Sequence, residues 1–282
     1  MNDTAEIYSV CRSEIEKDVD ALVSTGLEIT ESTARAIEKQ LQTAVSSDAV
    51  TDNLISAISD TTDVDTPKSY VVEIFSWATV TSLAAMIGMF FGYTVLSSFV
   101  ESIAGRYSSM ILACLVLPLT ATIIIQMYDE DIRYTSPYRD GDVRMVSLEF
   151  AVAQGIFVGR CMRDLYLSGQ PPMFLTPATI SVSFACMPDA AGKNRIALMS
   201  FTLSWAIVVN LLYGAIIEDT VTLPFFSLTL LYVLSCGLIL QFIFGNVNRN
   251  STVHAYQHAI VSALITVKGI FFLLFGRQIK YT

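Results

Sequence analysis

From Val71 to Phe275 the chain is a succession of apolar segments, each long enough to cross a bilayer and separated by short charged connections. A hydrocarbon core of ~30 Å is crossed by about 20 apolar residues as a helix, so such a run constrains the fold more than any single motif does. Within hydrocarbon every backbone N–H and C=O has to be paired inside the chain. The segments lack the ten-residue alternation of a transmembrane barrel, which leaves α-helices. With 53% hydrophobic residues, the expected fold class is all-α: a polytopic helical membrane bundle.

The segments that read as spans are 71–96, 109–127, 146–167, 174–187, 197–217, 223–244 and 259–275. The fourth is short, with Pro171, Pro172 and Pro177 at its entry and Pro188 at its exit. The expectation is six transmembrane helices plus a seventh segment, the last, which either spans or is re-entrant. Lys268 near its middle favours a re-entrant segment that lines a protein-buried or aqueous site.

Residues 1–69 are different in kind. Acids, Ser and Thr surround short amphipathic stretches at 11–26, 32–45 and 50–59, and Asp60 to Pro67 reads as a polar linker. The chain therefore divides into two domains: an acidic cytosolic tail over 1–69, helical or partly disordered, and a transmembrane domain over 70–282. The start, MNDTAEIYSV, has no apolar h-region, so no cleavable signal peptide is expected. Most of the net charge of −9 lies in the tail, which argues against nucleic acid as a partner. The expected partners are the lipid bilayer, membrane proteins and a soluble protein that meets the tail.

Short-loop basic residues orient the bundle. Lys68, Arg133, Arg139, Arg144, Lys193, Arg195 and Arg249 fall on one side and Arg106 on the other, which places the N-terminus in the cytosol. The sequons at Asn2 and Asn250 then face the cytosol and should carry no glycan.

Span three concentrates the polar chemistry, with Glu149, Gln154, Arg160, Arg163 and Asp164. A charge at the centre of a membrane helix costs ~2.5–3.5 kcal/mol, so such groups are paired, inward-facing or close to an interface. Asp164 lies four residues after Arg160 and is its natural partner; an ion-path or gating role is the alternative. Gln241, His258 and Lys268 complete the ion-path or gating candidates. Ala84, Gly88 and Gly92 in span one, and Ala151, Gly155 and Gly159 in span three, form small-residue stripes suited to close helix packing.

His254 and His258 share a helix face without a carboxylate or thiolate to complete a metal site, and the five cysteines have no metal or disulfide spacing. No nucleophile elbow, phosphate loop or zinc-protease motif occurs, so neither catalysis nor a cofactor is expected.

The segments RMVSLEFAVAQGIFVGRCMRDLYLSGQPPMFLTPATISVSFACM, KNRIALMSFTLSWAIVVNLLYG, LLYVLSCGLIL and YQHAIVSALI together resemble the transmembrane Bax inhibitor motif family. Gly155, Gly159, Pro172, Thr176, Arg195, Gly237 and His258 carry the resemblance. It implies a small bundle in the endoplasmic reticulum or another intracellular membrane that regulates cell death and calcium homeostasis, through membrane partners or a residual ion leak. That family's buried acidic pair is missing, since the matching stretches offer Gln241, Phe242 and Ile243, and Ser262, Thr266 and Lys268. Two other functions fit the residues: a small channel or transporter with an anion-favouring path along Arg160, Asp164, Gln241 and Lys268, or an anchor for a tethering tail.

Overall fold

The computed structural model describes residues 59–64, 68–135, 140–167, 169–186, 194–217, 221–246 and 253–278. The expected tail helices at 11–26 and 32–45, and all but the last residue of 50–59, lie outside them.

The elements in chain order are α1 (Lys68–Tyr93), α2 (Ser97–Ile103), α3 (Arg106–Ile111), a π-helical turn (Leu112–Val116), α4 (Leu117–Thr135), α5 (Asp140–Met162), β1 (Leu165–Tyr166), α6 (Leu175–Ala185), α7 (Arg195–Ile216), α8 (Leu223–Asn246), α9 (Val253–Phe275) and β2 (Arg277–Gln278). Among the described residues, six helical stretches are long and apolar enough to cross a membrane: Lys68–Tyr93, Arg106–Tyr128, Gly141–Met162, Arg195–Ile216, Leu223–Gly245 and Val253–Phe275. α6 is too short to be counted among them.

Local chemistry explains the irregular points. The π turn comes just before Pro118, where the proline ring would otherwise press on the carbonyl four residues back. Pro177 sits in the first turn of α6, where its missing N–H would have had no intrahelical partner. The Asn194 side chain accepts a hydrogen bond from the Ala197 N–H at 3.0 Å and caps α7. Gly169, at φ 64°, turns the chain between β1 and α6 in a conformation that side chains disfavour. β1 and β2 pair antiparallel, Leu165 with Gln278 and Tyr166 with Arg277.

α1 and α5 form the most intimate helix pair. A Cβ on Gly88 or Gly92 would collide with the carbonyl oxygens of Val152 and Ile156. One on Gly155 or Gly159 would collide with those of Ala85 and Met89. The two glycine stripes therefore face each other, each supplying the space that the other's backbone occupies. Ala151 is buried on the same stripe of α5, while Ala84 is half-buried.

Two expectations are corrected here. The last apolar segment does not fold back on itself: α9 is one continuous helix of 23 residues, starting at Val253 rather than Ala259. Lys268 faces the protein interior within it, so lining a buried site required no re-entrant backbone. Within the stretch read as a polar linker, Thr61, Thr62 and Asp63 are exposed, but Val64 is buried in the hydrophobic core.

The polarity is inverted relative to a water-soluble bundle. Ile87, Phe90, Leu115, Leu212, Leu234 and Leu274 are exposed on the outer surface, while Gln154, Asn210, Arg195, His258 and Lys268 are buried. Such a surface, on a bundle with six long apolar helices among the described residues, is compatible with an integral membrane protein.

Candidate functional site

Three groupings of polar side chains stand out among the described residues. At the end of the bundle where α7 begins and α8 finishes, Arg195 is only 2% exposed. Its Nε–H donates to Gln241 Oε1 at 3.1 Å and an Nη2–H to the Gln241 carbonyl oxygen at 2.8 Å. An Nη1–H donates to Asp60 Oδ2 at 2.6 Å. Gln241 returns a bond, its Nε2–H donating to the Asp60 carbonyl oxygen at 2.9 Å. The other carboxylate oxygen of Asp60 accepts from the N–H and hydroxyl of Thr62. The Thr62 N–H, then its hydroxyl, hold the Asp60 carboxyl below its ordinary value, and the Arg195 charge adds to the effect. The Arg195 guanidinium also lies 5.7 Å from the Phe244 ring centre. The result is a clasp that fastens the chain ahead of α1 onto α7 and α8, beside a groove of about 300 Å³ lined by residues such as Met199, Leu203 and Leu238.

An ionic cluster occupies the opposite end. Arg160 pairs with Glu101 at 2.9 Å and with Asp164 at 3.5 Å, and Arg106 pairs with Asp164 at 2.8 Å. Arg163 donates to Ser97 Oγ, and the Cys161 thiol to the Arg106 carbonyl oxygen at 3.2 Å. α2, α3 and α5 are tied together by these contacts. Asp164 and Glu101 remain substantially exposed, so the pairs position the helices more than they stabilise them.

Between the ends runs a short polar chain. Gln154 and Ser262 exchange hydrogen bonds at 3.2 and 3.3 Å, and Ser262 Oγ lies 3.2 Å from His258 Nε2. That nitrogen is also 3.2 Å from the Pro118 carbonyl oxygen, which can only accept, so the network assigns the proton to Nε2. His258 Nδ1 is buried without a partner among the described residues. The chain links α5, α9 and α4.

Arg160, Arg163 and Asp164 thus fall in one cluster, Gln241 in the clasp, His258 in the central chain and Lys268 in a separate cavity. Glu149 is exposed on the outside of α5. Arg160 and Asp164 pair at one end of the bundle, Gln241 binds Arg195 at the other, and the cavity that Lys268 lines includes none of the three. Sequence reasoning noted Arg195 only as a basic connection and missed Asp60. The available signals were an arginine opening an apolar helix and the DTTD stretch just ahead of the first span.

The family comparison changes the reading of the whole chain. Residues 1–278 match the family described as Interactor of ZYG-11. The resemblance to Bax inhibitors, and the cell-death and calcium functions attached to it, are overturned by that match. The physical reason is that spaced small residues serve close helix packing in membrane bundles generally, so they do not single out one family. No match was found among curated proteins or among solved structures. The chain belongs to the ZYG-11 interactor family.

Proposed function

We propose that this ZYG-11 interactor family member is an integral membrane protein that works by binding a protein partner of the ZYG-11 type on its cytosolic side. The acidic segment 1–69 contributes the contact. The observation that carries this reading is the extent of the family match, which runs from residue 1 through the last helix and so includes the charged segment as well as the bundle. The apolar outer surface supports the membrane setting, and the clasp at Asp60 gives the segment a fixed point on the bundle.

A ZYG-11 protein used as the probe tests it. Full-length chain in lipid nanodiscs should retain the probe, and chain lacking residues 1–58 should lose it by about tenfold or more, a difference of about 1.4 kcal/mol. Failure of the full chain to retain it would refute partner binding. Equal retention by the truncated chain would move the contact to the bundle's loops and refute the role of the segment.

The course of the chain supports seven passages between the two sides of the membrane, with the N-terminus in the cytosol. Asp60, ahead of α1, meets Arg195, the first residue of α7, so α6 and its approach have to bring the chain back after α5. At 1.5 Å per residue the 11 residues of α6 cover only about 16 Å. The buried residues Pro171, Pro172 and Met173, in the irregular approach to α6, add to that length. Irregular backbone at membrane depth is tolerated when protein covers it. In sealed vesicles an N-terminal tag should therefore be exposed to cytosolic-side protease, while a sequon added after Thr282 should gain glycan. Both ends on one side would exclude seven passages.

A further inference from the structure

We propose that the cavity around Lys268 is a binding site for a small amphiphile with an anionic head, a carboxylate or a phosphate monoester, on an apolar body. The cavity holds about 480 Å³ between α1, the end of α5, β1, the β1–α6 connection, α7 and α9, a volume in the range of small-molecule sites. Lys268 is the one charged side chain lining it among the described residues. It is 6% exposed and, among those residues, has neither a hydrogen-bond nor an ion-pair partner.

An ammonium held out of water without a counter-charge costs several kcal/mol, and an entering anion offsets that cost by supplying the missing charge. The rest of the wall selects the body that the head carries. Phe90, Tyr93, Phe272 and Tyr213 line it together with methionines, which suits an apolar body and offers little to a free inorganic anion. Gln170 adds a second polar position, its Oε1 being buried without a partner among the described residues and able to accept from the P–O–H of a singly protonated phosphate head, though not from a carboxylate. Phe90 and Tyr166, on the cavity wall, are exposed on the outer surface of the bundle, so entry from the apolar surroundings is open.

The test uses full-length protein in zwitterionic phosphatidylcholine nanodiscs with radiolabelled dodecanoate as the probe. Saturable binding near one per chain is expected, displaced by dodecyl phosphate but not by acetate or inorganic phosphate. Dodecanol, with the same body and no charge, should compete about tenfold more weakly or worse. Lys268→Met should weaken dodecanoate binding by about tenfold or more, and Lys268→Arg should restore most of it. Dodecanol competing as well as dodecanoate would overturn the anionic head, and that comparison needs no variant to fold. Displacement by inorganic phosphate or acetate would overturn the apolar body. Unchanged binding by monodisperse Lys268→Met would place the ligand elsewhere.

Discussion

Gly159→Val should cost the protein its folded bundle, or at the least about 3 kcal/mol of stability, the upper end for overpacking a close-packed interior. The added Cβ would meet the carbonyl oxygen of Met89 on α1, an atom that moves only if the helix does. Relief by separating α1 from α5 would also open the facing contacts at Gly88, Gly92 and Gly155, so the four positions fail together. Gly155→Val should behave alike. Gly105→Ala is the control, because a Cβ there meets nothing within 4 Å. Thermal unfolding followed by loss of the monodisperse peak checks this directly. A Gly159→Val protein melting within a few degrees of the parent would show that the two helices do not approach as described.

The second large effect belongs to Arg195→Met. The substitution keeps much of the buried volume and removes the guanidinium from both Gln241 oxygens and from Asp60. Hydrogen bonds from a charged donor contribute about 1.5–3 kcal/mol each, so losing the two to Gln241 should cost about 3 kcal/mol or more. The bond to Asp60 adds less, because that carboxylate is partly open to solvent. Two readouts should change together: the melting temperature falls, and protease cuts ahead of α1 where the parent resists. Asp60→Asn should give the second effect with little of the first. Protease resistance unchanged in both variants would mean that the clasp does not hold the segment.

Acid should mimic Asp60→Asn. The folded-state value of Asp60 is lowered, so its contribution is fully present above the ordinary value of 3.8 and is lost as pH falls through the depressed one. Protease sensitivity ahead of α1 should therefore appear below about pH 3.8 and be absent at neutral pH. Release already near pH 6 would assign the effect to another group.

Much of the architecture was legible in the residues, and one part was misread for a definite reason. Span length and hydropathy are local properties, and they located the six long helices within a few residues of most of their ends. The glycine spacing on α1 and α5 marked the faces able to approach closely. The same features, taken as a family signature, pointed to the wrong family, because packing requirements recur in unrelated membrane bundles.

The sequence by itself therefore determined an all-helical chain with apolar spans and an acidic leading segment, since helix periodicity and transfer energy act within a single stretch of residues. Only the tertiary structure decided that Asp60 meets Arg195 across 135 residues of sequence, that Gln241 joins them, and that Lys268 faces a cavity with no acid among its described lining residues. These are matters of how the helices are rotated and aligned, set by the mutual fit of α1 and α5 and the packing around them. No local pattern encodes which distant partner a buried polar group will find.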